Sequence, residues 1–543
     1  MQNILLYLAQ PTVISLLLTF PMGIFSRAYG CEVALVELSS VSVTGTDSGA
    51  SAEILAYDFD NKVMTVVNSL GSSIESFSLT TDLKGTGIRL DPIRVIQIDE
   101  LLFENLAASD VTPTSIDVNE VKDLLAVAVS NGSESRGWVI FFDSRSLRHL
   151  AIVEVGFTPD MLLFDSEGKY MLVANEGEPS SDYSFDPPGS LSVIEIRSPP
   201  SDKLQFEHRE YFFNTPLHAA PELELRQSGC PPDVQKDIEP EFIALDTRGE
   251  RAFISLQENN AIATFSLRGM KFENIWSLGK KDHSKPGQGL DGNDTDGRLI
   301  PNRLPVFGLY MPDGLASFNV NDQDFIVTAN EGDRRDYGNC RDFQRLGESS
   351  CSRSIELKRG YNPSDYERLF ISHSRGEPAD CSRLEVFGGR SFSIWDGAEG
   401  HLVYDSGDMF ETILSRRGDG ITELDKRSDV SGPEPESVEI ANIMNRIIAF
   451  IGLERSSGIM IFDVTKPHKS SFLGYHSDPR GGHRGPESLE FISAKLSPNG
   501  KPLLLVSYEY SASVAVYQIM LESGLKRIKA VSYTHLRAHE TGY

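Results

Sequence analysis

Thr158–Phe164 (TPDMLLF), Ser166–Gly168 (SEG), Tyr170–Gly177 (YMLVANEG) and Ser190–Ile196 (SLSVIEI) form the stretch from which the fold is read. A proline and an acidic residue open a short alternating strand. A turn containing glycine follows. A strongly apolar strand then ends in an amide and an acid, and a third strand completes the unit. Short apolar runs bounded by turn residues mark strands.

The same order recurs along the chain. Glu239-Pro240-Glu241 leads to Ala252–Glu258 and then Ala261–Leu267. Met311-Pro312-Asp313 leads to Phe325–Asp333 (FIVTANEGD). Glu434-Pro435-Glu436 leads to Ile447–Glu454 and Gly458–Asp463, and Gly485-Pro486-Glu487 to Leu503–Glu509 and Ser513–Gln518. Two weaker copies precede these, opening at Glu53 and at Thr112-Pro113-Thr114, which makes seven. Short strands repeated in a fixed order predict sheets stacked around an axis. The expectation is an all-β, seven-bladed β-propeller of the WD40/YVTN-like kind, with a cysteine-containing insert in one blade. Helical periodicity is nearly absent, which excludes an α-solenoid. A stacked β-helix is the rival, but its repeats would be shorter and more uniform.

The acids keep a register. The second follows the first by 16 to 22 residues in five copies: Asp160 and Glu176, Glu241 and Glu258, Asp313 and Glu331, Glu436 and Glu454, Glu487 and Glu509. Equivalent positions in a propeller face one rim of its channel, so ten carboxylates would converge there. The first two copies offer Asn68, Thr114 and Asn131 instead. Such a ring repels itself unless cations or hydrogen bonds compensate, and oxygen ligands suit Ca²⁺. The alternative is local: the acid after proline caps the backbone of the adjacent turn.

The chain has 543 residues and a formal net charge of −27, which argues against nucleic acid as a partner. Residues 1–30 read as a secretion signal, with an apolar run from Ile4 to Phe25 and Ala28-Tyr29-Gly30 before Cys31. Pro11 and Pro21 interrupt the run, so no transmembrane span is expected in the mature chain. The propeller is placed at 31–523. Residues 524–543 form a tail, extraneous to the fold from about Ser532, which leaves the natural C-terminus and any lipid anchor outside the sequence. Export makes the five cysteines potential disulfide partners. Cys340 and Cys351 are the expected bridge, and the odd number leaves one thiol over. Asn293 and Asn131 stand in glycosylation sequons, whereas Asn362 is followed by proline.

Two further segments carry candidate chemistry. Gly287–Pro301 holds Asp291, Asn293, Asp294 and Asp296 among glycines, a set that suits Ca²⁺ but departs from the EF-hand register. Its plain reading is a loop of Asx-turns. His476, Asp478, Arg480, His483 and Arg484 precede the last copy and could bind phosphate or supply a base. No nucleophile elbow, P-loop, HExxH or dinucleotide turn is present, and no catalytic residue is assigned.

The motifs VANEGE, VTANEGD, GLDGNDTDG and EPESVE, ending at Glu178, Asp333, Gly297 and Glu439, closely resemble the mesenchyme-specific cell surface glycoprotein family, whose members share a choice-of-anchor I domain. The resemblance runs from about Val33 to Ile519. It implies a secreted or surface-anchored glycoprotein, associated in animals with biomineralising cells. Bacterial relatives often carry an alkaline phosphatase label, but no catalytic residues transfer. With the tail read as extraneous, the anchor region is expected to be missing, which departs from the family pattern. The first expectation is therefore a non-enzymatic extracellular glycoprotein that binds Ca²⁺, mineral or matrix through an acidic face. The second is a metal-dependent, alkaline-phosphatase-like phosphoesterase in the same funnel. The third is a platform for basic protein partners.

Overall fold

The apolar runs at the centre of each copy are strands buried on both faces: all six residues of Leu503–Tyr508 are buried, and six of the seven in Leu124–Ser130. Side chains alternate across a strand. Leu172 and Ala174 therefore pack against one neighbouring sheet, and Met171 and Val173 against the other. The computed structural model describes residues 32–521, apart from 46–48, 83, 107–110, 199–202, 214–224, 229–234, 339, 353–361, 363–365, 374–380, 418–424 and 479–481. The signal read over residues 1–30, the tail, Cys31 and Cys230 lie outside the described residues.

The architecture is all-β. Seven four-stranded antiparallel sheets occur among the described residues, and one sequence copy falls in each. Their first strands are Leu55–Asp58, Thr112–Asn119, Pro159–Phe164, Pro240–Leu245, Leu315–Val320, Pro435–Ile443 and Pro486–Ile492. The first strand of each sheet touches that of the next, and the seventh touches the first. Apolar clusters fill the spaces between successive sheets in the same cyclic order. Polar bonds stitch neighbouring first strands together. The Phe164 N–H donates to Asp117 at 2.7 Å, and the Thr114 hydroxyl donates to the Pro159 carbonyl at 2.7 Å.

The seventh sheet is completed from the other end of the chain. Val33–Ser42 pairs antiparallel with Ser513–Leu521, Val33 opposite Leu521 and Ser42 opposite Ser513. Glycine and polar turns separate the strands elsewhere. Two short helices, Ile98–Leu106 and Met409–Arg417, occupy connections between sheets. Among the described residues no helix is long and apolar enough to cross a membrane.

A cysteine-containing insert lies within the fifth sheet, between its strands Gln323–Asn330 and Ser391–Asp396. Together with the preceding connection it builds a separate five-stranded sheet, which includes Phe307–Leu309 and Phe370–Ser372. The expected Cys340–Cys351 bridge does not form. Cys351 pairs with Cys381 instead, 30 residues on, inside an apolar cluster with Leu346, Tyr366 and Leu369. Cys340 is itself disulfide-bonded. It sits in a two-stranded hairpin opposite Tyr337 and is not a member of that cluster, so sequence proximity misled the pairing.

Leu35 lies in the closing strand, 7% exposed against the cluster between the sixth and seventh sheets, whereas its neighbour Val36 is 47% exposed. Leu35→Ala is expected to cost about 2–4 kcal/mol of unfolding free energy and Val36→Ala under about 1. Denaturant titration of both variants checks it. Equal costs would mean that the strand does not pack into the ring.

Candidate functional site

The proline–acid motif has a recurring backbone shape. Thr158, Met311 and Glu434, each just before the proline, have φ of 40°, 48° and 48°, and Gly485 has 70°. A left-handed non-glycine residue costs about 1–2 kcal/mol. It persists only where the surroundings over-determine it, commonly at functional sites. The second motif is anchored from behind. Asn330 donates to the Ser391 and Ser393 hydroxyls at 3.1 and 2.8 Å, and Asn175 to Ser190 and Ser192 at 3.1 and 3.0 Å. The next residue, Glu331 or Glu176, lines the cavity. The glycine after it is left-handed, and a Cβ on Gly332 would collide with the backbone of Gly388.

These turns bring together all ten acids of the five strong copies. Asp160, Glu176, Glu241, Glu258, Asp313, Glu331, Glu436, Glu454, Glu487 and Glu509 line one cavity of about 390 Å³. Sequence reasoning missed its other walls: Glu53, Glu178, Glu239, Asp333, Arg334, Arg335, Tyr337 and Arg455. Glu239 stands directly before Pro240, and Glu178 and Asp333 follow their Glu-Gly pairs by one residue, so adjacency to the motif was the available signal. Asn68, Thr114 and Asn131 are not among the lining residues. Asn68 accepts from the Ser51 and Gly71 N–H groups.

Fourteen carboxylates thus face three guanidinium groups. Those three are already engaged. Arg335 pairs with Glu239 at 2.9 Å, Arg455 with Glu434 and with Glu454 at 3.0 Å, and Arg334 lies over the Phe343 and Phe370 rings. Two carboxylates 4 Å apart repel by about 4 kcal/mol at an effective dielectric of 20. A few such contacts exceed the usual folding margin of about 5–15 kcal/mol. The cavity must therefore hold protons or cations.

The acidities follow. Burial, then the charges of Asp313, Glu53 and Glu178, push Asp160 up to about 7. Burial lifts Glu258 to about 7 against the pull of Arg335, Glu509 to about 7 and Glu454 to about 8. Burial and neighbouring carboxylates hold Glu176, Glu241, Glu331, Glu436 and Glu487 well above the usual range. Burial would also raise Glu434, but Arg427 and Arg455 outweigh it and keep that carboxyl low. Oxygens of Asp313 and Glu436 lie within 4.8 Å of each other, and burial together with that crowding holds both carboxyls above their usual range.

Two sets of three carboxylates are spaced for a cation. Oxygens of Asp313, Glu331 and Glu436 lie within 4.8 Å of one another, and so do those of Glu331, Glu434 and Glu454. The second set is already compensated by arginine. Among the described residues no arginine forms an ion pair with the first: Glu331 accepts from the Gln257 amide at 2.6 Å, and one buried oxygen of Glu436 has no hydrogen-bond partner. Oxygen Oε2 of Glu258, a residue 7% exposed, also has none.

The loop acids behave differently. Asp291 accepts from the Asn293 and Ile300 N–H groups at 3.1 and 2.8 Å, Asp294 pairs with Arg368, and Asp296 accepts from the Arg298 N–H at 2.9 Å. Among the described residues these three form no group with oxygens close enough to share an ion. The turn reading describes this loop. Asn293 is half-buried and accepts from Thr295, and Asn131 is half-buried as well. His476, Asp478 and His483 lie apart from the cavity, beside the seventh sheet.

A family model described as the choice-of-anchor I domain matches residues 53–467. The chain is 26% identical to Gigasin-3a of Magallana gigas, over 28% of this chain and 64% of that protein. It is also 26% identical to the Mesenchyme-specific cell surface glycoprotein of Strongylocentrotus purpuratus, over 46% of this chain and 38% of that protein. The matched region spans under two thirds of each relative's length. Among solved structures, Kuenenia stuttgartiensis hydrazine synthase is similar at 11% identity and a TM-score of 0.47, covering 88% of this chain and 98% of that one.

Groups whose acidity falls on folding bind more protons folded than unfolded, so their contribution to stability is lost as pH rises. For Asp160, Glu258, Glu509 and Glu454 the window runs from the ordinary carboxylate range to about 7–8. In chelator, the thermal midpoint is expected to fall between about pH 5 and 8, and less so in Asp160→Asn/Glu258→Gln. A scan of midpoint against pH reads it. Parallel curves for the two proteins would exclude these carboxyls as the cause.

Proposed function

The chain belongs to the choice-of-anchor I domain family, and from that premise we propose an extracellular or cell-surface protein whose seven-bladed β-propeller binds Ca²⁺ in its acidic channel and, through it, mineral or matrix. The cyclic order of contacts between the seven sheets supports the propeller and its blade number. The relative named a cell surface glycoprotein supports the location, as does the Cys351–Cys381 disulfide, which is at home in oxidising compartments. One observation carries the binding: fourteen carboxylates line one cavity with only three guanidinium groups to offset them.

Calcium takes six to eight oxygens, about 2.3–2.6 Å away, in a flexible geometry. Asp313, Glu331 and Glu436 would be its first ligands, since arginine has not already neutralised them. Binding displaces protons from the raised carboxyls of Glu331 and Glu436, so affinity rises with pH. An acidic face that holds calcium is suited to growing mineral or to calcium-bridged matrix.

A second reading, a metal-dependent phosphoesterase, draws on one feature. Glu331 belongs to both carboxylate sets, as a bridging ligand between two metals would. The engagement of Glu434 with Arg427 and Arg455 counts against it.

Calorimetric titration with Ca²⁺, alongside phosphomonoester hydrolysis on the same sample, separates the readings. Saturable binding, weakened roughly tenfold or more in Asp313→Asn/Glu331→Gln without hydrolysis, is the expected result. Metal-dependent hydrolysis lost in that variant would transfer the site to the phosphoesterase. Neither signal would sink both and favour a basic protein partner.

A further inference from the structure

A second group of ligand-type side chains lies where the N-terminal strand meets the junction of the sixth and seventh sheets. Glu37 belongs to that strand, opposite Tyr517. Asp478 directly follows Ser471–Ser477, the last strand of the sixth sheet, and His483 leads into Pro486–Ile492, the first strand of the seventh. One ligand atom from each falls within 4.8 Å of the other two.

His483 is held in place. It is 7% exposed, and its ring stacks on Tyr508 at 4.8 Å between centroids. Its Nδ1 lies 2.8 Å from the Ser513 hydroxyl. With the Nδ1–H donated to Ser513, the lone pair sits on Nε2. That is how an outer hydrogen bond fixes a metal-binding imidazole. Nε2 faces Glu37 Oε2 at 3.7 Å, beyond hydrogen-bond length. The other Glu37 oxygen is occupied by the Ser40 hydroxyl at 2.8 Å, which aims the carboxylate. Close by, His476 packs on Tyr517, and its buried Nε2 has no hydrogen-bond partner.

The donor set differs from that of the cavity. Two carboxylates and a neutral imidazole suit a borderline metal such as Zn²⁺, whereas all-oxygen cages suit Ca²⁺. We propose that Glu37, Asp478 and His483 bind a divalent transition metal of the Zn²⁺ type, clipping the N-terminal strand to the sixth and seventh sheets. Three protein ligands leave one tetrahedral position for water or for a side chain that turns in. Since Glu37 is more than 400 residues from the other two ligands, the ion cross-links a very long loop.

The site does not depend on calcium in the channel, so the two proposals fail separately. The test is Zn²⁺ titration of the chelator-stripped full chain, by calorimetry and by thermal unfolding. It compares wild type, Glu37→Gln, His483→Gln and, as the cavity control, Glu331→Gln. Wild type and Glu331→Gln are expected to bind Zn²⁺ saturably, with a thermal midpoint that climbs with concentration. Glu37→Gln and His483→Gln should bind about tenfold or more weakly and lose that rise. Glu37 is partly exposed, so its variant decides the matter if His483→Gln fails to fold. Three results would overturn the proposal: no saturable binding by wild type, as a bare Glu37–His483 ion pair gives; equal binding by wild type and Glu37→Gln; or binding lost only in Glu331→Gln.

Discussion

A sheet whose central strands are apolar on both faces cannot stand with either face uncovered. That constraint governs this chain. Burying one leucine or isoleucine side chain contributes about 1.5–3 kcal/mol, and the central strands bury apolar side chains on both faces. In a row of such sheets the two outermost would each expose one face, and bending the row into a cycle removes both exposed faces. The alternation of Met171 and Val173 against Leu172 and Ala174 is that requirement written at single-residue resolution.

Once the faces are committed to packing, strand ends and connections are what remain for polar chemistry. The first strands meet one another, so the residues that open them share a small space. Left-handed residues before proline aim the acids, and buried asparagines hold the neighbouring turns. The result resembles a reservoir of charge held under compression. Protons relieve it in part, since burial and neighbouring carboxylates hold the carboxyls of Glu176, Glu241, Glu331 and Glu436 above their usual range. Cations and protons would then compete for the same oxygens.

Much of this was legible in the residues. The strand order repeats with its turns, and the paired acids of five copies all reach the cavity, because a register fixed in sequence becomes a rim once the sheets are equivalent. Glu53 was read as opening its copy but not as a rim acid, because that copy lacks the proline. Arg334, Arg335 and Tyr337 escaped because they arrive on the insert, which obeys no repeat. The disulfide was misread for a related reason. Spacing favours the nearer cysteine, but Cys351 is drawn into an apolar cluster that the folded insert builds together with Leu290, Leu304 and Val306 of the preceding connection. The Asp291–Asp296 loop shows the converse: short oxygen side chains among glycines write turns as readily as ion cages.

The strand that completes the seventh sheet has a consequence for biosynthesis. Val33–Ser42 is translated hundreds of residues before its partner Ser513–Leu521. Throughout elongation the early strand carries an unsatisfied hydrogen-bonding edge, together with Val33 and Leu35, which are buried only in the finished protein. Such an edge pairs readily with a stranger. The nascent chain must therefore be kept apart from its siblings until Ser513–Leu521 is released, and the yield of folded protein depends on how long that wait lasts and on what shields the edge meanwhile.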